Sequence, residues 1–114
     1  MSDAAFVAVL VIDLHFPEAG SLKAKRKDLQ SIKAQLHTRF GAAVAETGYQ
    51  DLWQRSTVVA TLAGGSLPVL SEAADTLERW LDWRCPAGVR VERMVASVDD
   101  LRDVVATAGG PAGG

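Results

Sequence analysis

The sequence predicts an α+β domain with a ferredoxin-like fold: an antiparallel four-stranded sheet with two helices on one face, in the order β-α-β-β-α-β. Three observations carry this expectation. Phe6 to Leu14 is apolar at both odd and even positions, as in a strand at the centre of a sheet. Residues 22–40 and 67–83 repeat apolar side chains at helical spacing. Short apolar runs bounded by glycine and proline lie between and after these helices. Right-handed crossovers then place the first and third strands centrally and both helices on the same side.

In the first strand Phe6, Ala8, Leu10, Ile12 and Leu14 alternate with Val7, Val9 and Val11, and Pro17 and Gly20 end it. The first helix opens at Gly20-Ser21-Leu22-Lys23-Ala24-Lys25-Arg26-Lys27, with Ser21 as N-cap, and buries Leu22, Leu29, Ile32, Leu36 and Phe40. Gly41 suits the position just past its end. Ala42 to Thr47 reads as the second strand, and Gly48 to Leu52 as a loop. The third strand, Trp53 to Ala63, sets Val58, Ala60 and Leu62 against Thr57, Val59 and Thr61 on its other face. Gly64-Gly65-Ser66 is a turn that caps a second helix with the stripe Leu67, Leu70, Ala74, Leu77 and Leu81, and Pro68 falls in its first turn, where a missing N–H is harmless. Pro86 and Gly88 stop that helix, and Val89 to Ser97 is the fourth strand. The domain is expected over residues 1–98. Residues 99–114 are an extension: a short helix from Asp99 to Ala106 with Leu101, Val104 and Val105 on one side, then a disordered glycine-rich tail.

A chain of 114 residues is one domain. Its net charge of −2 implies no strong overall attraction to nucleic acid, so any such binding must be local. Cys85 is the only cysteine, which excludes an internal disulfide and fits a reducing compartment, read here as cytoplasmic. The apolar run Ala4 to Ile12 is too short to span a bilayer, and no membrane association is expected. His15, His37 and Cys85 have no metal-ligand spacing, so neither a metal nor a cofactor is expected. His15, at the end of the first strand, is a candidate hydrogen-bonded or anion-contacting loop residue. No Gly-x-Ser-x-Gly elbow or phosphate-loop lysine pattern exists, and Cys85 sits beside Pro86 at a helix end with no sign of thiol chemistry. No catalytic motif is present, and whether the protein is an enzyme is left open.

Charge at the first helix start stands out. Lys23, Lys25, Arg26 and Lys27 crowd the first two turns, where the macrodipole favours acids, at a cost of about a few tenths of a kcal/mol per charge. At about 100° per residue, Lys23, Arg26, Lys27, Gln30, Lys33 and His37 form one flank beside the apolar stripe, and Lys25 lies within the stripe. This is either a solvated face, with Lys25 snorkelling at the sheet edge, or a phosphate-contacting patch made by Lys23, Lys25, Arg26, Lys27 and Lys33. A second constellation gathers Glu46, Gln50, Asp51, Trp53, Gln54 and Arg55 in one hairpin region. Trp53 as a core anchor, Asp51 or Gln50 as turn caps and an Arg55–Glu46 pair across the strands explain it structurally. The functional alternative is a ligand pocket near Glu46, Gln50, Trp53 and Arg55 in a dimeric binding or catalytic protein.

Ser21-Leu22-Lys23-x-Lys25-Arg26 after a hydrophobic strand, then Val44-Ala45-Glu46, then Gln50-Asp51-Leu52-Trp53-Gln54-Arg55, resemble the YlxP-like family of small bacterial proteins. The resemblance covers roughly residues 5 to 97, and the Gln50 to Arg55 block is its most specific part. It implies a ferredoxin-like fold and a bacterial cytosolic protein, and it implies no activity, since the family is a domain of unknown function. Its associated context is gene neighbourhood with translation-initiation and ribosome-maturation factors. That context makes ribosomal RNA or a ribosomal protein the expected partner of the basic helix, for a non-enzymatic accessory protein. Residues 99–114 lie beyond the resemblance.

The fold also bears on how RNA would be met. RNA-recognition motifs stack bases on aromatics of the two central strands, whereas the open face here offers Val7, Val9, Val11, Thr57, Val59 and Thr61. Those valines need a cover: a second subunit, the extension from Asp99, or partial exposure. A homodimer through this face is the expectation.

Overall fold

The computed structural model describes residues 4–108. The element order is β1 (Phe6–His15), α1 (Leu22–Phe40), β2 (Ala43–Gly48), β3 (Arg55–Gly64), α2 (Leu67–Arg84), β4 (Val89–Ser97) and α3 (Val98–Ala108). The four strands form one antiparallel sheet in the order β2-β3-β1-β4, the ferredoxin-like arrangement the sequence predicts. The extension helix also forms, as α3, and continues to Ala108. Thr107 and Ala108, expected to open the disordered tail, are the last residues of that helix, and the rest of the expected tail, residues 109–114, lies outside the described residues.

β1 is central because both its faces are apolar and both its edges are paired, Leu10 opposite Ala60 on one side and Arg93 on the other. Its even positions Ala8, Leu10, Ile12 and Leu14 face the helices and are fully buried. They meet Val58, Ala60 and Leu62 of β3, Leu29, Ile32 and Leu36 of α1, and Leu70, Ala74, Leu77 and Leu81 of α2. The odd positions Val7, Val9 and Val11 stand on the opposite, open face and remain half-buried.

Local chemistry closes each helix. Ser21 Oγ accepts the Ala24 N–H at 3.1 Å and Ser66 Oγ accepts the Val69 N–H at 3.5 Å. α1 stops at Gly41, whose φ of 66° only glycine adopts freely, with its N–H donating to the His37 carbonyl. Beside that cap Phe40 meets Trp80 of α2 edge to face, with Arg39 over the same indole. Asp28, in the second turn of α1, accepts from Arg84 at the end of α2 at 2.7 Å. Arg93 of β4 reaches up to Asp75 at 2.8 Å and to Glu78, pinning α2 over the edge strand.

Among the described residues no helix is long and apolar enough to cross a membrane, and no group of three or more His, Cys, Asp or Glu side chains is placed to hold a metal ion. The placement of Leu10 at the middle of the core gives a first expectation. Leu10→Ala should cost about 2–5 kcal/mol in urea unfolding. A loss under about 1 kcal/mol would contradict its central position.

Candidate functional site

One end of the domain brings together the basic start of α1 and the hairpin constellation singled out in the sequence. β1 and β2 end there, β3 and β4 begin there, and the start of α1, the hairpin loop 49–54 and the α2–β4 connection meet above them. α1 has no acidic residue in its first turn. Lys23, Arg26 and Lys27 are exposed and Lys33 is half-exposed. Among the described residues none of these four stands within ion-pair distance of a carboxylate.

Lys25 behaves differently. It is 0 % exposed, so it does not snorkel out to reach a phosphate at the surface. Helical spacing turns it onto the stripe of Leu29, Ile32 and Leu36, and its long stem runs beneath the hairpin. Its Nζ donates to the Tyr49 carbonyl at 2.6 Å and lies 3.7 Å from Glu46 Oε2. The same carboxylate oxygen accepts from the buried Ser56 hydroxyl at 2.9 Å. A buried cation is tolerable only with such partners, so Lys25, Glu46, Ser56 and Tyr49 act as one polar cluster under the hairpin.

Tyr49 carries the strain of that turn. Its φ of 57° is left-handed, uncommon for a bulky residue. Two donors hold its carbonyl, Lys25 Nζ and, at 3.1 Å, the Leu52 N–H. The Arg55 guanidinium caps its ring at 4.1 Å from the centroid. Arg55 in turn pairs with Asp13 at 3.5 Å, and Asp13 accepts from Thr57 Oγ1 at 3.0 Å.

This arrangement corrects two structural expectations. Arg55 pairs with Asp13 and not with Glu46, because Arg55 shares the open face with Thr57 whereas Glu46 points to the helices with Ser56. Trp53 is not a core anchor: β3 starts only at Arg55, and the indole sits in the loop, 48 % exposed, beside exposed Leu52 and Tyr49. Gln50 and Asp51 are exposed loop residues, and Gln50 donates to the Glu46 carbonyl at 3.4 Å. The partners that sequence reasoning did not single out are Ser56, Tyr49 and Asp13. A serine in an otherwise apolar strand position and an aspartate ending an apolar strand are the signals that mark the first and last.

A cavity of about 380 Å³ opens at this end. It lies between the α1 start and the α2–β4 connection, with His15, Phe16, Asp28, Ile32, Arg84 and Cys85 among its walls. Glu46, Gln50, Trp53 and Arg55 take no part in it. The charged members of that proposed ligand site are instead spent on neighbours. Burial pushes the Cys85 thiol up from its usual range, with Arg84 opposing, so this sulfur is a poor nucleophile. His15 ends β1, with its N–H donating to the Gly88 carbonyl at 3.3 Å.

Residues 7–99 match the family model described as "Protein of unknown function (DUF503)". The chain belongs to this family. DUF503 membership spans all four strands and both core helices, and stops where α3 begins. The chain is 45% identical over 40 residues to the uncharacterized protein YlxP of Bacillus subtilis (strain 168), across 35% of this chain and 44% of that relative's length. Solved structures support the fold of this DUF503 chain alone. A de novo designed protein, Foldit4, aligns with TM-score 0.52 and 12% identity, over 81% of this chain and 96% of that one. A VAO-type flavoprotein of Myceliophthora thermophila C1 aligns with TM-score 0.52 and 16% identity, over 94% of this chain and 19% of that one.

Two substitutions separate the buried cluster from the exposed loop. Lys25→Met, which keeps the stem and removes the donor, is expected to lower stability by roughly 1–3 kcal/mol by leaving the Tyr49 carbonyl and Glu46 unpartnered. Trp53→Ala should lower the unfolding free energy by less than about 1 kcal/mol. A Trp53→Ala loss of about 3–5 kcal/mol would mean that the indole is core after all.

Proposed function

We propose that this protein is a non-enzymatic accessory factor that binds RNA phosphates through the start of α1, in the setting of ribosome maturation or translation. What carries the reading is a single juxtaposition. Lys23, Arg26 and Lys27 stand exposed, without carboxylate partners among the described residues, at the same end as the exposed rings of Tyr49 and Trp53. The hairpin is tied to the first turns of α1 by the Lys25–Tyr49 hydrogen bond. Cations beside exposed aromatics suit a phosphate backbone with unpaired bases stacked on the rings. Lys33 extends the basic flank along α1, and Lys25 contributes by holding the hairpin, not by touching phosphate. The open sheet face has no aromatic on its central strands, so the contact lies at the end of the domain and not on the sheet.

The reading includes a homodimer in the cytoplasm. The support for the dimer is the apolar open face centred on Val7, Val9 and Val11, which monomeric proteins seldom leave uncovered. The support for the compartment is the single buried, unpaired Cys85.

Co-sedimentation with ribosomal subunits in low salt and release in high salt is the expected behaviour. Changing Lys23, Arg26 and Lys27 together to Gln should weaken association and flatten its salt dependence, by about one unit of log–log slope per lost phosphate contact. Trp53→Ala should weaken association while leaving most of that slope. Folding should survive the triple change, since removing cations from a helix start relieves its dipole. Binding by the triple variant equal to the parent would reduce the flank to a solvated face.

A further inference from the structure

None of the 11 residues of α3 is buried. Leu101, Val104, Val105 and Ala108 recur at the spacing of one helical stripe. Leu101, Val104 and Val105 are 38, 61 and 66 % exposed. A helix this short is marginal in water without something to pack against. The sheet has the complementary deficit. Its open face sets Val7, Val9 and Val11 beside Val59 and Met94, with both core helices on the other side.

α3 cannot close over its own sheet without rebuilding the junction. β4 ends at Ser97 and α3 starts at Val98, so no linker residue exists to reverse the chain, where a return connection takes several. The junction is also fixed: the Val98 N–H donates to the Ala5 carbonyl at 2.9 Å, and Ser97 Oγ accepts the Asp100 N–H at 2.9 Å. The dimensions suit a neighbour. At about 1.5 Å per residue α3 is ~16 Å long, which matches the roughly 15–19 Å width of four strands. Asp99, Asp100 and Asp103 against Arg102 make α3 acidic, which excludes nucleic acid as its occupant.

We propose that α3 of each protomer crosses the open sheet face of a second copy of this chain, seating Leu101, Val104 and Val105 on Val7, Val9 and Val11 of the partner subunit, reciprocally about a two-fold axis. This rests on the homodimer reading and adds to it the element that does the covering. The exchange gives each sheet the second layer it lacks and each α3 the apolar surface it lacks.

The test combines sedimentation with cysteine pairing. Full-length protein is expected to sediment as a dimer, and the chain ending at Ser97 to lose that dimer. Val9→Cys and Val105→Cys chains, mixed and oxidised, should form a disulfide between protomers. Val9→Cys alone should not, because intervening helices hold the two sheets too far apart for a bridge. A truncated chain that stays dimeric, or a Val9→Cys self-disulfide, would mean that the sheets pack directly, overturning the exchange but not the dimer. Failure of the mixed pair to cross-link in a full-length dimer also overturns the exchange alone. A full-length monomer at tens of micromolar overturns both. Should the truncated chain aggregate, the cysteine pairing decides.

Discussion

The buried ammonium of Lys25 is the interaction on which the hairpin end of this molecule depends. A cation withdrawn from water must be met by acceptors, and here the acceptors come from two other places in the chain: the Tyr49 carbonyl in the hairpin loop and Glu46 at the end of β2. One side chain thus fixes the start of α1 against the loop. The left-handed Tyr49 is stable because its carbonyl is held from both sides and its ring lies under Arg55. With the loop so held, Leu52 and Trp53 stay exposed at the same end of the domain as Lys23, Arg26 and Lys27. The chemistry of the surface follows from the chemistry beneath it.

A second constraint comes from β1. A strand apolar on both faces needs two covers, and two helices of this fold supply only one. The strand's even positions settle the core, which is why the helices pack where they do. Its odd positions leave a half-buried valine face separate from the basic end. The two surfaces are at different places on the domain, so a dimer through the sheet leaves the α1 start and the hairpin free.

Much of this was legible in the residues. The double apolar pattern of β1, the caps Ser21 and Ser66 and the stop at Gly41 led to the right elements in the right order. Period-two and period-3.6 patterns report on burial, and burial decides these elements. Lys25 was visibly on the apolar stripe, but a sequence does not say whether a lysine there escapes to solvent or finds acceptors inside. That depends on a loop conformation at Tyr49 that no local pattern announces. Trp53 misled for a related reason. Aromatic residues favour strands and cores, and the block leading into Arg55 reads as strand until the turn closed by Tyr49 and Leu52 is known. The Arg55–Glu46 expectation failed on alternation, since Glu46, opposite buried Val58, faces the helices whereas Arg55, two residues before Thr57, faces the open side.

The central claim is that Lys25 and Glu46 act together as an internal tie, and a double-mutant cycle measures that directly. Lys25→Met, Glu46→Gln and the double variant would be unfolded in urea beside the parent. A tie predicts that the double variant loses less than the sum of the single losses, with a coupling of about 0.5–3 kcal/mol. Losses that add to within about 0.3–0.5 kcal/mol would contradict it, and Lys25 would then be a buried side chain with no hold on the hairpin.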